Sequence, residues 1–250
     1  MIFKELDGGL SVIDNLKVAG AKEGKYGVAV IVSENSDASA VFTSNKIVAA
    51  PVIYTKKVVE KGKVSAVFVN SGNANCFTGN QGIEDCESLV ELVSKELNIP
   101  LDVITGVASK VFSSLGNKPE DSLAAANAIM TTDKIPKQCA LEVTLTNGEK
   151  VKIAGITKGS GMIAPNMGTM LSFIVTDGVM ESKYINKALK KAANKSFNMI
   201  VVDGDESTND TCLLMANKAS GVNIVNDGEI DPNFQEALEY LCIDLAKKMV

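Results

Sequence analysis

The stretch from Ala140 to Ile156, ALEVTLTNGEKVKIAGI, leaves the chain least freedom. Two runs rich in β-branched residues flank Asn147-Gly148, the pair favoured in two-residue type I′ turns, so the stretch predicts a β-hairpin. Residues 25–33 (KYGVAVIVS), 65–70 (SAVFVN) and 199–203 (MIVVD) also read as strands, the last as a short buried one. Helices are expected where capping residues precede an apolar repeat. Asp85 leads Leu89, Val93 and Leu97, and Ser182 leads Ile185, Leu189 and Ala192 through Asn194. Asp231-Pro232 gives a cap and a first-turn proline ahead of the stripe Phe234, Leu238, Leu241, Cys242, Leu245 and Met249. TCLLMANKA (211–219) reads as a helix capped by Thr208 or Asn209. Strands and helices mix without clean βαβ alternation, which predicts a layered α+β fold with helices over sheets.

Composition narrows the chemistry. The chain has 250 residues, 46% of them apolar and 22% charged, enough to bury a core without staples. Its net charge is −5 and its lysines and arginines form no tract, which argues against a nucleic-acid surface. No apolar run is long enough to span a bilayer, and MIFKELDGG lacks a signal peptide's apolar centre. The five cysteines have no CxxC spacing, so reduced thiols in a cytoplasm are expected. There is no histidine. That removes Ser-His-Asp and Cys-His triads and most zinc sites, so acid-base chemistry near neutral pH needs another group.

Several motifs have plain structural readings. KGSGM (158–162) is not a phosphate loop, because Lys158 precedes the glycines. DGDESTNDT (203–211) has alternating oxygen ligands as in a calcium loop. Thr208 stands where that loop needs glycine and Leu214 where it needs glutamate, so a turn is the better reading. NSGNAN (70–75) reads as a polar turn after a strand. Cys76, with no histidine to activate it, reads as a small apolar residue.

Taken in order, VFTSNKIVAAPV (41–52), VNSGNANCFTGNQGIED (69–85), TGV (105–107), AIMTTDKIPK (128–137), KGSGMIAPNMGTML (158–171) and DGDESTNDTCLLMA (203–216) resemble the glutamate N-acetyltransferase, or ornithine acetyltransferase, family of arginine biosynthesis. The resemblance implies a self-processing N-terminal-nucleophile enzyme with an α/β/β/α sandwich. The chain would cut itself between Gly168 and Thr169, giving an α part (1–168) and the start of a β part (169–250). Thr169 would be the nucleophile, Thr105 and Gly106 the oxyanion-hole pair, and Thr132 and Lys158 substrate contacts. The implied reaction moves acetyl from N-acetylornithine to glutamate. No metal or cofactor is implied, although some members use acetyl-CoA. The implied assembly is a heterotetramer of two α and two β chains.

The resemblance has departures. Gly168 stands where alanine is usual, and the stretch from Gly106 to Ala124 is shorter than in the family. The family continues beyond the position of Val250, with a substrate-binding glutamate and further strands, so a truncated β part is expected.

The chemistry is coherent with a histidine-free chain. A threonine hydroxyl needs an adjacent base. Scission would free the threonine's own α-amine, whose reference pKa of about 7.7–8.0 suits that task. A neighbouring Lys158 cation would lower it further. Gly168, lacking a Cβ, suits the strained backbone that cutting requires. Two other readings stay open at this point: an amidase or aminopeptidase built on the same threonine, and an inactive remnant or assembly subunit.

Overall fold

The spine of the protein is β3 (Tyr26–Phe42), a strand of 17 residues. In the computed structural model the described residues are 2–97, 112–161 and 170–250, with the backbone alone of 104–105. The first part of β3 pairs antiparallel with β2 (Lys17–Glu23) and β4 (Lys63–Ser71). The last part, from Asp37, pairs antiparallel with β9 (Thr211–Ala216). Between Val32 and Ser36 the register shifts. Buried Ser33 and Ser36 fill the irregularity, their hydroxyls 2.8 Å apart, while Asn35 takes a positive φ of 56°. Such a bulge bends a strand, and here it lets one strand serve two halves of a sheet.

The strand order is β1-β6-β7-β8-β9-β3-β4-β5, with β2 also on β3. The remaining members are β1 (Phe3–Glu5), β5 (Ile104–Thr105), β6 (Lys137–Thr144), β7 (Lys150–Lys158) and β8 (Leu171–Thr176). A separate ribbon joins β10 (Val225–Asn226) to β11 (Glu229–Ile230).

Three apolar cores define the layers. Helices α4 (Ser182–Asn194) and α5 (Pro232–Lys247) cover one face of β6–β9, burying Leu189, Phe234 and Leu241 against Leu141, Ile153 and Leu214. On the other face, Ile156, Phe173, Leu213 and Met215 meet Ile31, Val67 and Val69 of the second half-sheet. Outside that half, Val30, Ala66 and Phe68 pack on Val90 and Val93 of α2 (Gly79–Leu97). The order helix, sheet, sheet, helix agrees with the α+β sandwich expected from the sequence. Helix α1 (Ala50–Val59) contributes buried Val52 and Val58, and α3 (Pro119–Ala128) feeds Ala125, Ala126 and Ala128 into the middle core. Helix α3 lies so close to Gly27 that a Cβ there would sit 2.0 Å from the Ala128 carbonyl oxygen.

The hairpin forms as β6 and β7. Its turn is not type I′, because Gly148 has a positive φ (87°) and Asn147 does not. The Gly148 N–H donates to the Leu145 carbonyl and the Leu145 N–H to the Glu149 carbonyl, the pattern of a longer loop closed by a glycine bulge. Asp231 explains the preference: its Oδ2 accepts from the Thr146 N–H (2.9 Å) and Thr146 Oγ1 (2.5 Å), pinning the loop. The same carboxylate caps α5 through the Asn233 and Phe234 N–H groups. Helix α2 starts well before Asp85 and buries Cys86, Val90 and Val93, with Leu89 only half-buried. Helix α4 begins at Ser182 itself, after Glu181.

Two expectations are overturned. Residues 199–203 form no strand: Val201 is 54% and Val202 46% exposed. Buried Phe197 anchors this connection instead. Residues 211–216 are strand β9, not a helix. All six are buried, with Cys212, Leu214 and Ala216 facing one core and Leu213 and Met215 the next. A strand buried on both faces has no polar alternation to mark it.

Candidate active site

Several connections meet at one end of the sandwich. They are the last residue of β7, the segment after α3, the turn after β4 and the loop before β9. Together they line a cavity of about 620 Å3. The polar loops are stitched to one another. The Asn209 side-chain amide donates to the Ala74 carbonyl (2.8 Å), and Thr43 Oγ1 donates to the Ser207 carbonyl (2.6 Å). The Ala49 N–H donates to the Thr208 carbonyl (3.0 Å). Asn75 donates to Asn70 across the 70–75 turn (2.8 Å). The sequence reads this segment as a polar turn without demanding a place in the site; here it is a wall of the cavity.

Lys158 closes β7, 9% exposed, with Nζ 3.4 Å from Thr131 Oγ1. Burial pushes its ammonium below the ordinary lysine range, against the pull of Asp133 and Asp210. Thr132 lines the same cavity, its hydroxyl 2.7 Å from that of Ser160. Asp133 sits behind them and fixes the backbone. Its carboxylate pairs with Lys137 and accepts the Gly159 N–H (2.8 Å) and Thr131 N–H (3.1 Å). Burial opposes its ionisation, but these donors outweigh burial and hold its pKa below the usual value. Asp133 therefore sets both the Thr131-Thr132 segment and the backbone directly after Lys158.

The cavity also includes Met170, the residue next in sequence to Thr169. The Met170 N–H donates to Asp210 Oδ1 at 2.8 Å, and its carbonyl accepts the Thr211 N–H at 3.2 Å. Asp210 is fully buried and lines the cavity. Desolvation raises its pKa to about 7, against the Met170 amide, the Ser207 hydroxyl and the Lys158 cation. Gly106, Gly168 and Thr169 lie outside the described residues. Of Thr105 only the backbone is described; it pairs parallel with Val67, itself a cavity residue. Thus Lys158, Thr132 and the residue following Thr169 come together, while Thr105 lies on the strand beside the cavity wall.

Sequence reasoning missed Asp133 and Asp210. Both fall inside segments that carry the family resemblance, AIMTTDKIPK and DGDESTNDTCLLMA. Nothing in one sequence marks an aspartate as buried. Among the described residues no group of three or more His, Cys, Asp or Glu side chains could hold a metal ion, and no helix is long and apolar enough to cross a membrane.

Residues 15–250 match the ArgJ family. The chain belongs to the ArgJ family. Among its ArgJ-like relatives, the glutamate N-acetyltransferase of Methanothermobacter thermautotrophicus is 43% identical, over 100% of this chain and 64% of that protein. The glutamate N-acetyltransferase of Methanosarcina acetivorans is also 43% identical, over 98% of this chain and 65% of that protein. The chain thus spans about 65% of the length of these curated relatives. The solved arginine biosynthesis bifunctional protein argJ of Bacillus halodurans superposes with a TM-score of 0.59 at 28% identity, covering 66% of this chain and 97% of that one. Ornithine acetyltransferase of Mycobacterium tuberculosis, solved with ornithine, gives 0.56 at 27% identity, over 65% of this chain and 98% of that one. The L-aminopeptidase D-Ala-esterase/amidase of Ochrobactrum anthropi, of the Ntn hydrolase fold, matches 97% of this chain at 10% identity and TM-score 0.56, which speaks for the fold alone.

Proposed function

We propose that this ArgJ chain acts in acetyl transfer from N-acetylornithine to glutamate, in the cytoplasm, with Thr169 as nucleophile after self-cleavage between Gly168 and Thr169. The observation that carries this reading is the single cavity bounded by Lys158, Thr132 and Met170. It puts a buried cation, a hydroxyl and the neighbour of the proposed nucleophile around one space. The two solved relatives supply support of another kind. Each is matched over nearly its whole length by about two-thirds of this chain.

In the proposed reaction the freed α-amine takes the Thr169 hydroxyl proton as the oxygen attacks the acetyl carbonyl. The amide carbon–nitrogen bond then breaks, and the proton leaves on the departing ornithine amine. Glutamate's amine reverses these steps and receives the acetyl group. Thr105 and Gly106 are assigned to the developing oxyanion, where one lost donor typically costs about 2.7–4 kcal/mol. Lys158 and Thr132 are assigned to substrate. The Lys158 cation is assigned to lower the pKa of that amine by like-charge repulsion. No cofactor is needed; acetyl-CoA would be an alternative acetyl donor. The proposed assembly pairs two α and two β chains.

The test is a chain carrying Thr169→Ala beside the parent, in the full-length protein. Mass spectrometry should show splitting between residues 168 and 169 in the parent and none in the variant. Acetyl transfer from N-acetylornithine to glutamate should vanish with the hydroxyl. Transfer retained by the variant removes Thr169 from this role. Hydrolysis of N-acetylornithine at a rate indifferent to glutamate replaces the transferase with an amidase.

A further inference from the structure

Asp210 stands out because it is buried, charged when ionised, and half satisfied. Its Oδ1 accepts the Met170 N–H, while its Oδ2 meets no donor in hydrogen-bonding geometry among the described residues, with only the Ser207 hydroxyl near enough to favour ionisation, although the side chain is fully buried and lines the cavity. A buried carboxylate oxygen left without a donor is costly, so one that lines a cavity beside a reaction site calls for a ligand. The backbone around it is hydrogen-bonded on both sides. The Asp210 carbonyl accepts the Thr43 N–H at 3.0 Å, and the next residue's N–H holds the Met170 carbonyl.

Covalent geometry limits what that oxygen can meet. The nitrogen of residue 169 is three bonds from the Met170 amide nitrogen, hence within roughly 4 Å of it whatever the torsions. Before scission that nitrogen is an amide; afterwards it is a primary amine. We propose that Asp210 is the positioning residue of the proposed nucleophile: Oδ1 holds the Met170 amide, and Oδ2 receives the ammonium of Thr169 once the chain is cut. The inference rests on the functional reading above. The other charged groups acting on Asp210 are Lys158 from β7, which favours its ionisation, and Glu206 from its own loop, which opposes it.

During transfer the amine takes the hydroxyl proton and later surrenders it to the leaving amine. Asp210 exchanges no proton in balance. It steadies the ammonium between the two steps and keeps the amine turned toward the hydroxyl.

The discriminating variant is Asp210→Asn in the full-length protein. Asparagine can still accept the Met170 N–H, so a purely structural role predicts wild-type kinetics and an unchanged pH profile. The proposed role predicts a kcat lower by roughly tenfold to a hundredfold with KM little changed. It also predicts an acidic limb moved to lower pH, because the anion no longer favours the ammonium. A rate within about twofold and an unmoved limb overturn the proposal. A second measurement leaves Asp210 in place and serves if the variant misfolds. In 13C-aspartate spectra, the Asp210 carboxyl should titrate near neutrality in the uncut Thr169→Ala chain and about one to three pH units lower in the cut parent. The same titration in both forms overturns the proposal. A parent that never cuts defeats the functional reading and this inference together. A parent that cuts and transfers with an indifferent Asp210 defeats the inference alone.

Discussion

Asp133 decides whether the candidate site is built at all. Its side chain and that of Lys137 are almost wholly buried, and the carboxylate also serves two backbone donors. Replacing it with alanine strands a buried cation and two N–H groups, a loss expected to cost about 3–5 kcal/mol. Denaturant titration at pH 7 should show it. The pH dependence has a defined sign. Asp133 has a folded pKa below the unfolded one. Its contribution is therefore complete above the unfolded value of about 3.9 and disappears as the pH falls through the lower folded value. The gap between parent and Asp133→Ala should close in acid and stay constant from pH 6 to 8. None of this was legible beforehand: Asp133 looks like any polar residue ahead of Lys134, and only tertiary packing buries it beside Lys137.

At the level of elements, legibility followed the strength of local chemistry. Asp231-Pro232 fixed the start of α5 because both residues act within one turn. Asn147-Gly148 fixed the hairpin's place but not its turn type, since Asp231, 85 residues away, holds Thr146. TCLLMA misled because six buried residues in a row carry no period, and MIVV misled because apolar residues need not be covered. The bridging role of Asp231 gives a prediction. Asp231→Ala removes an N-cap and the loop anchor together, and should cost roughly 2 kcal/mol, the upper end for a cap alone. Urea unfolding should show the midpoint falling with an unchanged slope. A loss no larger than that of Thr146→Ala would show that the cap contributes nothing.

Across the whole molecule, the proposed cut falls between strands that are hydrogen-bonded neighbours. Strand β8 follows residue 169 and pairs antiparallel with β7, which precedes it. Strand β9 pairs with β3 in the same way. Helices α4 and α5 complete the core formed by β6 and β7. Cut chains should therefore co-elute in gel filtration at neutral pH and separate only in denaturant. Separation of the two pieces under native conditions would contradict this arrangement. The general architecture could be foreseen from the mixture of elements and the family resemblance. The joining of both half-sheets through one bent strand could not, because the serines at its bend, Ser33 and Ser36, look like surface residues until they are seen bonded to each other.

The grip of Asp210 on Met170 also sets a schedule for biosynthesis. Everything ahead of residue 169 can leave the ribosome without possessing a finished site. Asp210 and its loop emerge only after α4, and Met170 is gripped once that loop and the first residue of β9 have folded beside it. A nascent chain would hence carry its threonine inert until that loop had emerged and docked, and maturation would report that folding had succeeded.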